Sequence, residues 1–465
     1  MSITSNLFLT VFTPILILFV LIFRKHINRH NIFLFCMNIV FLLFGGIGGV
    51  ALLAVTCVLD YFLIGWIHKF NPSTKSRIIF AVAIILNVLP LLLFKYTGFF
   101  LNTVNSIFSL SIVIPQWTVP LGISFYTFQA ISLLSDVKTG KIKDRPKFFE
   151  VCFYLSFFIT ITSGPIVRFE DICSQLAQRR VSATDFNKGI TRFVIGLSKK
   201  VLLANTLSLF VENTFSYAES EESLSVLTYW AGSIAFTLQL CLDFSGYSDM
   251  AIGLAQVIGF HIPENFDYPY TSRTIGEFWR KWHISLSRWF RDYIYIPLGG
   301  NRVSVPRHIF NLFVVWCLTG IWHGANWTFI IWGLLYFVLL VFEKYCKKVY
   351  RFFEKHFIGH FYTLFFVNLL WVFFRASSLK DALAFVGGMF GVNSAANPIE
   401  LSTLHTIPFL ILSFLCCMPI LRKAQRFNGK VLFDILKAIV LCALLILSII
   451  SISGTSFTPF IYGKF

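Results

Sequence analysis

Long apolar runs separated by short cationic connectors dominate this sequence from end to end. A helix needs about 20 apolar residues to cross a bilayer, and irregular backbone at that depth must be buried in protein. Windows near that length recur at about 7–23, 31–44, 50–67, 78–100, 119–137, 190–211, 226–256, 309–323, 326–342, 357–374, 406–421 and 431–452. Two further windows, 148–164 and 275–297, are more polar and typical of re-entrant or interfacial helices. We therefore predict an all-α polytopic membrane protein with about 10–12 transmembrane helices.

The composition and charge agree with this prediction. Of the 465 residues, 56% are hydrophobic and 13% are charged, whereas soluble domains carry about 25% charged residues. The net charge of +17 would suggest nucleic-acid binding in a soluble protein. Here the cations lie in the connectors, where the positive-inside rule and anionic headgroups account for them. We expect a lipid bilayer as the surroundings and no nucleic-acid partner.

The positions of the cations also predict an orientation. The cluster at 24–29 follows the first window and places the N-terminus outside the cytoplasm. The acidic loop at 212–222 then falls outside, and the richest basic cluster, at 273–307, falls inside. One last window carries the C-terminus back out, so both termini are predicted to be extracytoplasmic.

Histidine spacing gives no sign of a metal site. His26/His30 and His356/His360 have the i,i+4 spacing of a zinc-binding helix. Neither pair has the glutamate of the HExxH motif or a nearby third ligand. We predict no bound metal.

His323 is the histidine most typical of chemistry. It lies in the turn GIWHGANW, residues 320–327, between two short apolar arms whose far ends are both basic. A polar side chain in or near the membrane is costly and is therefore a functional candidate. A structural histidine bonded to a neighbouring helix explains the position equally well.

His283 lies in a segment, residues 277–292, where cations and tryptophans alternate. An interfacial amphipathic helix with tryptophan anchors explains much of this pattern. The alternative is a cytoplasmic vestibule that binds the phosphates of a cofactor while an indole stacks on its base. The residues that would do so are Arg280, Lys281, Trp282, Arg288 and Arg291.

Several motifs together resemble the membrane-bound O-acyltransferase (MBOAT) family, and most closely its bacterial branch typified by the alginate O-acetylation membrane subunit. The strongest are EFWRKWHIS at 277–285, WHGANW at 322–327 and DFSGYSD at 243–249. The likeness extends to SFYTFQ at 124–129, SGPIVR at 163–168 and WVFFR at 371–375. It covers most of the chain from about 90 to 465.

The resemblance implies a ring of helices around a tunnel through the membrane. It implies one membrane domain over residues 1–465, with the tunnel in about 90–456. The family's catalytic histidine corresponds to His323, and its second histidine corresponds to His283. Similar bacterial proteins of the inner membrane take acetyl from cytoplasmic acetyl-CoA, without a bound cofactor. They pass it to polymers such as alginate, peptidoglycan or cellulose, usually with an extracytoplasmic esterase-like (SGNH-type) partner.

The tail at 457–465 adds a further expectation. Its last six residues read F-x-Y-x-x-F and resemble the C-terminal hexapeptide of such proteins, in which the tyrosine is an acyl relay. That tyrosine is Tyr462. An aromatic tail resting at the membrane interface is the alternative.

These expectations combine into one mechanism. Acetyl passes from acetyl-CoA to Tyr462, with His323 as the general base and Asn326 or a nearby indole N–H steadying the thioester oxyanion. The acyl-tyrosine then supplies the partner. The rival interpretations are a polysaccharide or lipid transporter, and a scaffold that recruits an enzyme without acyl transfer of its own.

Overall fold

The chain forms two compact units, each with its own core. The computed structural model describes residues 3–23, 26–219, 224–392, 394–395, 401–420, 422, 429 and 431–454. The first unit comprises residues 1–193 and 251–263, and the second comprises 194–250 and 264–465. Every regular element within the described ranges is helical, as predicted.

The first unit consists of helices joined by short turns. Its helices are α1 (Thr13–Phe23), α2 (Ile27–Leu43), α3 (Ile47–Phe70), α4 (Thr74–Leu91), α5 (Thr97–Phe108), α6 (Ile123–Lys138), α7 (Phe148–Ser156), α8 (Phe169–Gln178) and the first part of α9 (Ala183–Ser198). Short π-helical turns, Phe8–Phe12 and Leu92–Tyr96, precede α1 and join α4 to α5. The core is aromatic: the rings of Phe8, Phe12, Phe41 and Phe158 lie within 6.5 Å of one another.

The second unit contains the rest of α9 and most of α11 (Val226–Val257), through which the chain leaves and re-enters the first unit. Its other helices are α10 (Asn205–Glu219), α12 (Ile275–Lys281), α13 (Ile284–Phe290), α14 (Val305–His323), α15 (Trp327–Tyr345), α16 (Lys347–Lys355), α17 (Ile358–Arg375), α18 (Leu379–Met389), α19 (Leu401–Cys416) and α20 (Val431–Gly454). A π-helical turn, Lys199–Ala204, joins α9 to α10, and another, Arg291–Tyr295, follows α13.

Seven helical stretches within the described residues are long and apolar enough to cross a membrane. They are Ile47–Phe70, Thr74–Phe108, Ala183–Tyr217, Val305–His323, Trp327–Tyr345, Ile358–Arg375 and Val431–Gly454, and three shorter apolar helices accompany them. This confirms the all-α polytopic membrane fold. The windows at 119–137 and 226–256 form α6 and α11, which are not among these stretches. Their polar residues are buried against protein, as with Gln129 and Asp136 of α6.

The ion pairs of the second unit explain cations inside an apolar window. The π-helical turn after α9 carries Lys199 and Lys200, and these pair with Asp249 and Asp243 of α11. Lys200 and Asp243 are each almost wholly buried. A buried charge needs such a partner, since desolvation costs several kcal/mol per ion.

The ring of helices, the tunnel through the membrane and the single membrane domain stay predictions.

Candidate active site

A close helical hairpin carries His323. A Cβ atom at Gly320 would meet the carbonyl oxygen of Phe329, and one at Gly333 would meet that of Trp316. Helices α14 and α15 therefore pack backbone against backbone, a separation that only glycine allows at these two positions. His323 is the last residue of α14, and the turn into α15 follows at once.

The imidazole of His323 is enclosed by aromatic rings. Its side chain is 2% exposed. The rings of Trp322 and Trp332 each lie 4.9 Å from it between centroids, and that of Phe374 lies 5.3 Å away. Trp332 and Phe374 meet it nearly edge-on, at 85° and 76°. Such a wall excludes bulk water, and polar interactions are stronger in the low dielectric that results.

Asn326 caps the next helix. Its Oδ1 accepts a hydrogen bond from the Thr328 backbone N–H at 3.1 Å, and its Nδ2 donates to the Ser377 carbonyl at 2.8 Å. The side chain thus ties the start of α15 to the segment after α17. An oxyanion-binding role for Asn326 stays a prediction, and these two bonds give it a structural one.

His283 lies between two short helices, α12 and α13, and its backbone is in the left-handed region with φ 43°. A non-glycine residue held there stores strain of order 1–3 kcal/mol, and such residues cluster at functional sites. The side chain is fully buried, and its Nδ1 lies 3.1 Å from Asn265 Oδ1. Burial lowers the pKa of His283 to about 3, so the imidazole is neutral at physiological pH.

Trp322 brings the two histidines into one site. Its ring centroid is 6.1 Å from that of His283 and 4.9 Å from that of His323. A wider aromatic cluster continues from there. Trp332 stacks on Trp371 at 5.7 Å, and Trp371 lies 5.0 Å from Trp282. The structure therefore places the two sequence-predicted histidines close together within the second unit.

The five residues predicted to bind a phosphorylated cofactor divide into three groups. Arg280, Arg288 and Arg291 are exposed, and Arg291 pairs with the neighbouring Asp292. Lys281 is partly buried and bonded to Glu277 and Thr271.

Trp282 is a core residue: it is fully buried, stacked on Phe278 and edge-on to Phe266. Neither face of its indole is open to a base in this structure. Burial of so large an apolar ring is more favourable than its exposure to solvent.

Tyr462 and the rest of the tail lie outside the described residues. Within the described ranges, no group of three or more His, Cys, Asp or Glu side chains is placed to hold a metal ion.

Sequence reasoning missed four residues of this site. Trp332 and Phe374 line His323, and Asn265 holds His283. Glu343 accepts hydrogen bonds from the backbone N–H groups of Ile275 and Gly276, the first two residues of α12. The sequence did contain a signal for Glu343. It is an acidic residue at the end of an apolar window, and such a residue needs hydrogen-bond donors when it is buried.

Comparison with known proteins identifies the family. The model of the membrane-bound O-acyltransferase family matches residues 52–385. The chain belongs to the MBOAT family. A "Probable alginate O-acetylase AlgI" of Pseudomonas putida is 32% identical over the full length of both chains. A "Peptidoglycan O-acetyltransferase" of Helicobacter pylori is 31% identical over 99% of this chain and 97% of its own. A "Teichoic acid D-alanyltransferase" of Bacillus subtilis is 28% identical over 70% of this chain and 84% of its own.

Membership in the MBOAT family, together with the helical spans, makes this chain a multi-pass membrane O-acyltransferase. The resemblance inferred from its motifs is thereby confirmed, as is its bacterial O-acetyltransferase branch.

Proposed function

We propose that this MBOAT protein takes acetyl from cytoplasmic acetyl-CoA and passes it across the bacterial inner membrane for O-acetylation of an extracytoplasmic polysaccharide. The observation that carries the proposal is His323, buried at the end of α14 in an aromatic enclosure that also reaches His283. Relatives named for alginate and peptidoglycan acetylation support acetyl as the acyl group and make these two polymers the leading acceptors.

In this mechanism His323 is the general base. A hydroxyl oxygen attacks the thioester carbonyl carbon while His323 accepts its proton. The C–S bond then breaks, and the proton returns to sulfur to release the free thiol. A free tyrosine hydroxyl has a pKa of about 10 and histidine one of about 6.5. The proton therefore moves during attack rather than before it. Asn326 or an indole N–H steadies the oxyanion.

The cytoplasmic side supplies the donor in this proposal. CoA carries several phosphate charges, and moving them through hydrocarbon would be prohibitive, whereas moving acetyl alone is not. The exposed guanidinium groups of Arg280, Arg288 and Arg291 can bind phosphate oxygens. The predicted orientation places them inside and both termini outside. Tyr462 then receives acetyl and hands it to an extracytoplasmic esterase-like partner.

The experiment follows acetyl from donor to chain. Purified protein is incubated with isotopically labelled acetyl-CoA, thiol release is recorded, and the C-terminal peptide is analysed by mass spectrometry. We expect label on Tyr462 in the wild type and neither label nor thiol release in His323→Ala. Tyr462→Phe removes the label.

The matched control is His308→Ala, which removes another buried histidine from the same helix. His308 bonds to the hydroxyls of Tyr295 and Tyr345 at 2.8 and 2.7 Å, away from the aromatic enclosure of His323. It should keep transfer. Normal thiol release by a folded His323→Ala protein would refute the base assignment. Release without label on Tyr462, seen only once the partner is added, would mean direct transfer to the partner.

A further inference from the structure

Asn265 is the centre of a buried hydrogen-bond network around His283. Asn265 itself is fully buried. Its Oδ1 lies 3.2 Å from the backbone N of Ser285, 2.8 Å from Ser285 Oγ and 3.1 Å from His283 Nδ1. Its Nδ2 donates to Ser248 Oγ at 3.1 Å, and its carbonyl oxygen accepts from the Ile284 N–H at 2.9 Å.

This network fixes which end of the amide faces the histidine. A backbone N–H can only donate, so the Asn265 atom that meets the Ser285 N–H must be the oxygen. The same oxygen meets His283 Nδ1. That nitrogen must therefore carry a hydrogen and donate it. In a neutral imidazole the other nitrogen, Nε2, then has the lone pair.

We propose that Asn265 is a positioning residue that holds His283 as the Nδ1–H tautomer, so that Nε2 acts as a hydrogen-bond acceptor in acyl transfer. This inference rests on the proposed function. His283 then orients the hydroxyl or thiol of a reactant and cannot donate to an oxyanion. The network also holds the strained backbone at His283. Asn265 accepts hydrogen bonds from the backbone N–H groups of Ile284 and Ser285, the two residues that follow His283.

Charged groups and histidines occur on every element that contacts or flanks His283. They are Asp243 and Asp249 on α11, His261, Glu264, Asp267 and Arg273 before α12, Glu277, Arg280 and Lys281 on α12, Arg288 on α13, and Arg307, His308 and His323 on α14. Four of the acidic groups are neutralised by ion pairs: Asp243 by Lys200, Asp249 by Lys199, Asp267 by Arg422 and Glu277 by Lys281. Burial is what keeps His283 neutral.

Asn265→Asp tests this arrangement with little change of shape. A carboxylate accepts the same three bonds, and the Ser248 hydroxyl can turn to donate to it. The new charge beside Nδ1 favours the imidazolium, and an opposite charge at such a distance raises a histidine pKa by about 1–3 units. Protonated Nε2 cannot accept. His323, as the general base, must also be deprotonated, and an ordinary histidine has a pKa of about 6.5. We therefore expect the acid limb of the pH profile of thiol release to become steeper below about pH 6, where His283 is now protonated as well.

Asn265→Leu removes every hydrogen bond of the side chain at similar volume and keeps the bond from the Ile284 N–H to the backbone carbonyl oxygen. The tautomer is then no longer fixed, and we expect kcat to fall about 10–100-fold with little change in KM for acetyl-CoA, as for other residues that orient a functional histidine.

The matched control is Asn368→Asp. Asn368 is also a buried amide of the second unit, and it lies between the hydroxyls of Thr237 at 3.4 Å and Ser233 at 3.3 Å. It carries the same new charge and should lose stability without making the acid limb steeper. Only variants that elute like the wild type on size exclusion are compared.

A second readout does not depend on activity. In protein labelled with ¹⁵N-histidine, the nitrogen chemical shifts distinguish a protonated ring nitrogen from one with a lone pair, and His283→Gln identifies the signal. We expect Nδ1 protonated and Nε2 unprotonated in the wild type, and a mixture in Asn265→Leu.

The results separate this inference from the proposed function. A wild type with Nε2 protonated, or an Asn265→Asp profile that matches the wild type or the Asn368→Asp control, overturns the inference. A wild type that releases no thiol from acetyl-CoA refutes the proposed function instead, while the nitrogen shifts still decide the tautomer.

Discussion

Glu343 holds the start of α12, and its replacement gives the sharpest test of how the site is supported. The side chain comes from the end of α15 and is 6% exposed. Oε1 accepts from the Ile275 N–H at 2.6 Å, and Oε2 accepts from the Gly276 N–H at 2.9 Å. These are two of the N–H groups that a helix cannot satisfy internally. The carboxylate also lies at the positive end of the helix dipole.

The cost of Glu343→Gln follows from these two bonds. A hydrogen bond to a charged group contributes about 1.5–3 kcal/mol. Glutamine keeps one acceptor, which is now neutral, and turns an NH₂ group toward the second N–H. We expect α12 to lose about 3 kcal/mol of local stability. Hydrogen exchange of residues 275–281 should then be about 100-fold faster, at 1.36 kcal/mol per tenfold.

The assay is hydrogen exchange by mass spectrometry on the purified full chain, with thiol release measured in parallel. Because α12 leads directly into His283, we also expect transfer to fall at least about tenfold. Glu150→Gln is the control: Glu150 Oε2 accepts from one backbone N–H, that of Lys147, at an exposed helix start. It should cost less than about 1 kcal/mol. Unchanged exchange over 275–281 in Glu343→Gln would refute the reasoning.

Three further predictions concern the α14–α15 hairpin, the helix cap Asn326 and the buried His283. Gly333→Ala drives a Cβ atom into the carbonyl oxygen of Trp316 and should destabilise by about 1–3 kcal/mol. Gly48→Ala is the control: no atom lies within 4 Å of its added Cβ, so this substitution should be neutral or stabilising. Thermal unfolding in detergent compares the melting temperatures of the two variants. Asn326→Ala removes a helix cap and should cost about 1 kcal/mol in the same assay, and an unaltered melting temperature would contradict the cap. His283 has its pKa lowered to about 3 in the folded chain against about 6.5 unfolded. The contribution of the neutral histidine to the free energy of unfolding is therefore fully present above about pH 6.5. It decreases as the pH falls below that value, by at most about 1.4 kcal/mol per pH unit. His283→Gln should lose less stability than the wild type between pH 7.5 and 5.5, and equal losses would count against a buried neutral histidine.

Hydropathy predicted most of the helices because a bilayer imposes a minimum apolar length. The windows at 309–323 and 326–342 correspond to α14 and α15, with ends that differ by at most four residues. The polar windows at 148–164 and 275–297 contain the short helices α7, α12 and α13. Hydropathy does not show what Asp243 and Asp249 do inside an apolar window. The structure pairs them with lysines 43 and 50 residues away along the chain.

The candidate histidines were predictable because a costly polar residue stands out in an apolar segment. The residues that hold the surrounding backbone and side chains in place were not predictable in this way. Asn265 lies in an irregular segment that has no periodicity to interpret, and its bond to His283 crosses 18 residues. The bond from Glu343 to Ile275 crosses 68 residues. Contacts of this kind depend on tertiary packing, which a single sequence does not encode in any local pattern.

The position of His323 at the very end of α14 makes helix length as important as residue identity. One inserted residue between Val305 and His323 would advance the imidazole by 1.5 Å and turn it by about 100°, out of its aromatic enclosure. Pro306, in the first turn, fixes where the helix begins. Insertions and deletions should therefore be tolerated in the loop at 296–304 and not in the 19 residues that follow it. The position of the imidazole therefore depends on the length and register of α14 as well as on the identity of residue 323.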